Sequence, residues 1–148
     1  LQVLKKKKMG KEIVTTKWLT NLAFEADVKG HKIILDAEPH VGGENLGTPP
    51  KPLMLVALGG CTAMDVISIL KKMRVDVAEF NVIVEGELTE EHPKYFFKIH
   101  VIYEFRGNDL PMDKLQKAVS LSEERYCGVS AVYKKVIEMT SEIRVIEH

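Results

Sequence analysis

Eighteen consecutive residues, Leu53 to Leu70 (LMLVALGGCTAMDVISIL), carry a single charge, Asp65, and this run constrains the fold more than any other feature of the chain. A helix apolar on nearly every face must be covered on nearly every side, and a chain of 148 residues offers one core of ordinary size to do it. The run therefore predicts a long central helix, with Thr48 or Lys51 near its start and Pro52 in its first turn. Lys71, Lys72 and Arg74 would end it, and a second subunit would bury part of its surface. The run approaches membrane-spanning length, but Cys61, Thr62, Asp65 and Ser68 interrupt it, so a soluble protein with no membrane partner is expected. Gly59 and Gly60 either break the helix just before Cys61 or let a neighbouring element pack closely.

The flanking sequence reads as strands and shorter helices. Ile13 to Leu19, Ala23 to Val28 and His31 to Asp36 have strand-like content, and the Thr20-Asn21 and Lys29-Gly30 breaks imply an antiparallel meander. The Gly- and Pro-rich segment from Pro39 to Pro52 reads as an irregular loop. Ala78 to Thr89 and Tyr95 to Arg106 alternate apolar and polar residues on either side of a turn at Glu90 to Lys94. Asp109 is the expected N-cap of a helix from about Pro111 to Glu124, with Leu115, Ala118, Val119 and Ser122 facing inward. A shorter helix, Val129 to Val136, follows Cys127-Gly128, and Glu138 to Ile146 reads as a last strand. The order β-β-β, α, β-β, α-α, β is α+β, with helices on one side of an antiparallel sheet. The patterned sequence begins near Met9, so residues 1–10, with the lysine run Lys5 to Lys8, are expected to be a disordered leader or an added extension. Residues 11–148 then form a single domain.

Zero net charge gives no basic excess for nucleic acid or an anionic membrane, and 45% hydrophobic with 28% charged residues is the balance of a soluble globular protein. No apolar run follows the lysines as a signal peptide requires, and the cytoplasm is the expected location. His31, His40, His92, His100 and His148 show no ligand spacing around either cysteine, so no metal and no cofactor is predicted. His31, opening a strand, reads as a surface residue.

Two thiols in a reducing compartment are catalytic, redox-sensing or inert more often than structural. Cys127 follows Arg125-Tyr126 at the mouth of a helix whose first N–H groups favour an anion, and is by local criteria the better placed for a low pKa. Cys61 sits in the more enclosed apolar surroundings. Asp65 falls one turn after Cys61; it either turns to solvent or to a lysine, or faces the thiol, in which case a cation must compensate. Lys51 and Arg125 are the candidate thiolate-supporting cations. Trp18, Phe24 and Tyr126 either line an apolar pocket or fill the core. A peroxide-reducing pair divides the work: one thiolate attacks the O–O bond and becomes a sulfenic acid, and the other condenses with it to a disulfide.

The segments PLMLVALGGCTAMDV and LSEERYCGVSAV, in this order and separation, resemble the OsmC/Ohr family of osmotically inducible protein C and organic hydroperoxide resistance proteins. The start WLTNLAFEAD followed by GHKIILD is similar to that family too, and the resemblance runs from about Lys11 to the C-terminus. It implies an intertwined homodimer, with sheets wrapped around two long central helices and an active site at each side of the subunit interface. It further implies that Cys61 is the peroxidatic thiol and Cys127 the resolving one. The substrates would be organic hydroperoxides and the reductant a dithiol such as dihydrolipoamide. One departure stands out. Family peroxidases support the first cysteine with an arginine from the N-terminal segment and a glutamate about ten residues before the thiol; here that place holds Lys51, and no arginine precedes Arg74. Lys51 or Lys17 would have to supply the charge without the bidentate fork of a guanidinium. Beside the peroxidase stand two other readings: a non-catalytic protein that binds or senses a small hydrophobic or lipoyl-like ligand at the dimer interface, and a structural dimer with inert thiols.

Overall fold

The structure, a computed structural model, describes residues 10–147; the lysine run, Met9, His148 and all but Gly10 of the expected leader lie outside the described residues. The chain divides into two compact units, one ending at Pro50 and one beginning at Lys51.

In the first unit, β1 (Thr15–Thr20), β2 (Ala23–Val28) and β3 (His31–Leu35) form the expected antiparallel meander in the order β1-β2-β3. The β2–β3 hairpin turns on Lys29 and Gly30, both at positive φ (52° and 87°), and the Gly30 N–H donates to Asp27 Oδ1 at 2.9 Å. After β3 the loop is organised from within. The buried Asp36 carboxylate accepts the N–H groups of Ala37 (2.7 Å), Glu44 (3.1 Å) and Leu46 (3.1 Å). A single 3-10 turn, Pro39–Val41, interrupts the loop. Trp18, paired across the strands with Phe24, is 63% exposed and its indole N–H donates to the Asn21 carbonyl at 2.9 Å, so it is not a core residue.

The second unit holds β4 (Glu79–Leu88), β5 (Phe96–Arg106) and β6 (Glu138–Ile146), with α1 (Leu53–Lys72), α2 (Met112–Leu121) and α3 (Gly128–Tyr133). β5 is the central strand and carries most of the buried sheet side chains: Phe96, Ile99, Val101, Ile102, Tyr103 and Phe105. β4 pairs with it antiparallel, as the hairpin pattern requires, but β6 pairs with it parallel. The sheet is therefore mixed rather than antiparallel throughout. The reason is the connection: α2, α3 and the turn between them carry the chain back to the end of the sheet from which β5 started.

α1 runs unbroken through Gly59 and Gly60. Of the two readings of those glycines, close approach is the one realised, since a Cβ on Gly59 would stand 3.2 Å from the Val84 side chain of β4. The helix buries a ridge of four residues at four-residue spacing, Leu58, Thr62, Val66 and Leu70. The opposite side is left apolar and open in the single chain, with Val56 64% and Met64 76% exposed. α1 is long and apolar enough to cross a membrane, but its buried ridge belongs to the core built on β5 and α2.

Asp109 does not cap α2. It takes a positive φ of 51°, and Pro111 in extended conformation precedes the first turn. The helix also stops at Leu121 rather than near Glu124, and a π-helical turn, Ser122–Tyr126, continues it. α3 is shorter than the expected Val129 to Val136, ending at Tyr133.

Candidate active site

Cys61 is the ninth residue of α1, one position from the buried ridge, and Cys127 follows the π-helical turn as N-cap of α3. The Cys61 and Cys127 sulfurs and a carboxylate oxygen of Asp65 all lie within 4.8 Å of one another. The α-helical repeat accounts for the pairing of Cys61 with Asp65, four residues apart on one face. The π-helical turn brings Cys127 across to them, held by its N–H donating to the Ser122 carbonyl at 2.8 Å. Both cysteines are free. A disulfide between them needs the sulfurs to close to about 2.05 Å.

The environments of the two thiols are the reverse of the local sequence reading. Cys127 is the enclosed one, 2% exposed, while Cys61 is half-buried. Burial, followed by a hydrogen bond to the Cys61 sulfur, pushes the Cys127 thiol up to about 11, and negative charge on Cys61 pushes in the same direction. The Ser130 N–H, donating to Cys127 Sγ at 3.3 Å, and the Val129 N–H oppose this but do not outweigh it. A helix of six residues with two amides aimed at the sulfur is a weak source of anion stabilisation against desolvation. Cys61, inside a continuous helix, has no unbonded amides of its own to offer.

Asp65 is half-buried and faces the thiols rather than a lysine; none of the ion pairs among the described residues includes it. The partner it does have is Ser122, whose hydroxyl donates to Asp65 Oδ2 at 3.0 Å. Ser122 Oγ in turn lies 2.8 Å from Thr62 Oγ1, which lies 2.9 Å from Tyr103 OH, and the phenol donates to Glu123 Oε1 at 3.0 Å. Burial holds the Tyr103 phenol well above its ordinary value, and the nearby Glu123 charge adds to this. The sequence reading placed Ser122 on the inward stripe of α2 and passed over Thr62, Tyr103 and Glu123. The available signal was a threonine and a serine at inward positions of otherwise apolar helix faces.

Of the remaining candidates, Tyr126 is 60% exposed and lines a cavity of about 270 Å³ with Asp65, Ser68, Ile69, Lys72 and Leu121. Arg125 is exposed on the π-helical turn. Lys51 is exposed ahead of α1; it stands ten positions before Cys61, and the eight helical steps from Leu53 to Cys61 alone rise about 12 Å. Trp18, Phe24 and Lys17 belong to the first unit, where Lys17 is exposed and Phe24 half-buried. Two thiolates and a carboxylate are also a ligand set that a borderline-soft divalent ion accepts, so Cys61, Asp65 and Cys127 are the residues that could hold a metal.

The sequence profile of the OsmC-like protein family matches residues 42–142. The chain is 35% identical over 131 residues to protein YhfA of Escherichia coli K12, covering 88% of this chain and 95% of that one. Among solved structures it is similar to a hypothetical protein of Aquifex aeolicus VF5 (TM-score 0.83, 29% identity, 95% of this chain and 99% of the other). The fold is shared with an organic hydroperoxide resistance protein OsmC of Legionella pneumophila (TM-score 0.66, 17% identity, 93% and 99% covered). With Cys61 and Cys127 brought together on that α+β frame, the chain belongs to the OsmC-like protein family.

Proposed function

We propose that this protein is a cysteine-based peroxidase that reduces organic hydroperoxides in oxidative-stress defence, and the observation that carries the reading is the convergence of Cys61, Cys127 and Asp65 within 4.8 Å. Cys61, the more accessible sulfur, is the attacking thiolate. It takes the distal oxygen of ROOH, the O–O bond breaks, and the products are a Cys61 sulfenic acid and RO⁻, which takes up a proton to leave as ROH. Cys127, kept protonated by burial and by Cys61, then attacks the sulfenic sulfur; the S–S bond forms and its thiol proton leaves with the hydroxyl as water. A dithiol of the dihydrolipoamide kind exchanges with the disulfide and returns both thiols, itself ending as a cyclic disulfide. Legionella pneumophila has a fold relative named for organic hydroperoxide resistance, which supports the substrate class.

The protein acts as a homodimer in the cytoplasm. Support comes from the apolar side of α1, where Val56 and Met64 stay exposed in the single chain. The reading is tested by hydroperoxide consumption with a dithiol reductant. Wild type should turn over cumene hydroperoxide and Cys61→Ser should not; equal rates from the two sink it.

A second reading is favoured by one observation. A groove of about 440 Å³ lined by Leu55, Val56, Gly59, Gly60, Ala63, Val82 and Val84 is largely apolar and lies along α1, as a site for a small hydrophobic ligand would. A protein that consumes no peroxide but binds such a ligand in stoichiometric amount fits that alternative.

A further inference from the structure

Two sulfurs and a carboxylate meet on a frame that fixes their spacing. Cys61 and Asp65 stand four residues apart on an unbroken α1, and the π-helical turn brings the Cys127 sulfur to within 4.8 Å of both. Tetrahedral coordination, at about 2.3 Å from sulfur and about 2.0–2.2 Å from oxygen, sets such atoms about 3.5–3.8 Å apart, so the 4.8 Å limit stands about 1 Å outside that range. The surroundings have the character of a metal centre too. The Ser122 hydroxyl donates to Asp65 Oδ2 at 3.0 Å, orienting a carboxylate that still has lone pairs to give, and Ser122 Oγ is itself held by Thr62 Oγ1 at 2.8 Å. Cys127 Sγ accepts the Ser130 N–H at 3.3 Å. The Ser130 hydroxyl, in a residue 2% exposed, has no hydrogen-bond partner among the described residues. A buried donor left over on the residue whose amide already touches Sγ suits a metal-bound thiolate better than a neutral thiol, because the anion accepts donors more strongly.

We propose that Cys61, Asp65 and Cys127 of the reduced protein bind one borderline-soft divalent cation of the zinc class, its fourth position left to solvent from the cavity that Asp65 shares with Lys72 and Tyr126. Two sulfurs disfavour magnesium and calcium, which take oxygen ligands, and two cysteines fall short of the four that hold an iron–sulfur cluster. Binding releases the two thiol protons to solvent. The complex of a dication with two thiolates and a carboxylate carries one negative charge, and Lys72 lines the same cavity as Asp65. Metal-bound and disulfide states exclude each other, since each uses both sulfurs. An ion held there slows oxidation of the thiols, and their oxidation expels it. With a hydroperoxide as oxidant, the two thiolates give up two electrons, the S–S bond forms and the O–O bond breaks; two protons from solvent complete an alcohol and water, and the dication leaves. That last step rests on the peroxidase reading; the metal site does not.

The probe is Co²⁺, followed by Zn²⁺, added to the full chain after reduction by a phosphine that is then removed without air. Co²⁺ should bind one per chain with thiolate-to-metal charge-transfer absorption and the visible bands of tetrahedral coordination, and Zn²⁺ should displace it and bleach both. The disulfide form should give neither. Cys61→Ser and Cys127→Ser should each lose the tetrahedral two-thiolate spectrum. Ser122→Ala, which touches the ion only through Asp65, should loosen Zn²⁺ by about 10–100-fold, the usual effect of losing an outer partner of a ligand, and Asp65→Asn should loosen it further, with circular dichroism checking that each variant is folded. No charge-transfer absorption in folded, reduced wild type, or a Zn²⁺ affinity unchanged in the Cys61→Ser, Cys127→Ser double variant, overturns the site. Zn²⁺ should also suppress hydroperoxide consumption in step with occupancy, and a chelator should restore it. Should wild type consume no hydroperoxide yet give the cobalt spectrum, the peroxidase reading falls and the site stands. Should it consume hydroperoxide without the spectrum, the site alone falls.

Discussion

Thr62 Oγ1 of α1 lies 2.8 Å from Ser122 Oγ at the end of α2, and both side chains are fully buried. This contact ties the helix that carries Cys61 to the turn that delivers Cys127. Replacing Thr62 with valine keeps the volume but leaves Ser122 and Tyr103 each short of a partner. The expected loss is about 1–3 kcal/mol of unfolding free energy, measured by denaturant titration, with Thr62→Ser close to wild type.

Cys127 gives a pH dependence of defined sign. Its folded value is raised from the ordinary 9.0 to about 11, so the folded state holds the thiol proton more tightly than the unfolded chain. The contribution is fully present below about pH 9 and is lost as pH climbs to about 11. Thermal unfolding under a non-thiol reductant should therefore show a decline across that window, and Cys127→Ala should flatten it. A wild-type curve parallel to that of the variant would contradict the assignment.

Asp36 behaves in the opposite sense. The N–H groups of Leu46, Ala37 and Glu44 hold its carboxyl below the ordinary carboxylate value of 3.8. Its stabilisation of the loop is present above the ordinary value and disappears as pH falls through the lowered one. Amide exchange at Ala37, Glu44 and Leu46 should accelerate together in acid and at neutral pH in Asp36→Ala. Independent rates at the three amides would show that the carboxylate does not organise the loop.

The two sides of α1 should respond differently to substitution. Leu58→Ala, on the buried ridge, should cost about 2–5 kcal/mol in any oligomeric state. Met64, 76% exposed in the single chain, is the residue whose substitution tests for a second copy on this side. Met64→Asp should shift sedimentation from dimer to monomer; a protein already monomeric, or a dimer indifferent to the change, rules out burial of this side by a second copy.

The strands and the long helix were legible because each is a local pattern. Ala23–Val28 and Glu138–Ile146 were read to the residue, since alternation and turn residues bracket them. The direction of β6 was not legible, because strand polarity depends on where α2 and α3 return the chain. Asp109 has the chemistry of an N-cap, yet the positive φ it takes before Pro111 puts the helix start beyond its reach. The π-helical turn left no pattern in the sequence either. At the site, the pairing of Cys61 with Asp65 could be counted along one helix, but the direction Asp65 faces could not.

Residue type and order alone determined the α+β class, a central helix with more apolar surface than its own chain covers, and two thiols in separate segments. Tertiary structure decided which thiol is enclosed, how near the two sulfurs stand, and that three hydroxyls from α1, β5 and the end of α2 join two carboxylates into one chain. Burial and hydrogen bonding between residues some sixty positions apart come from packing, and no local pattern encodes them.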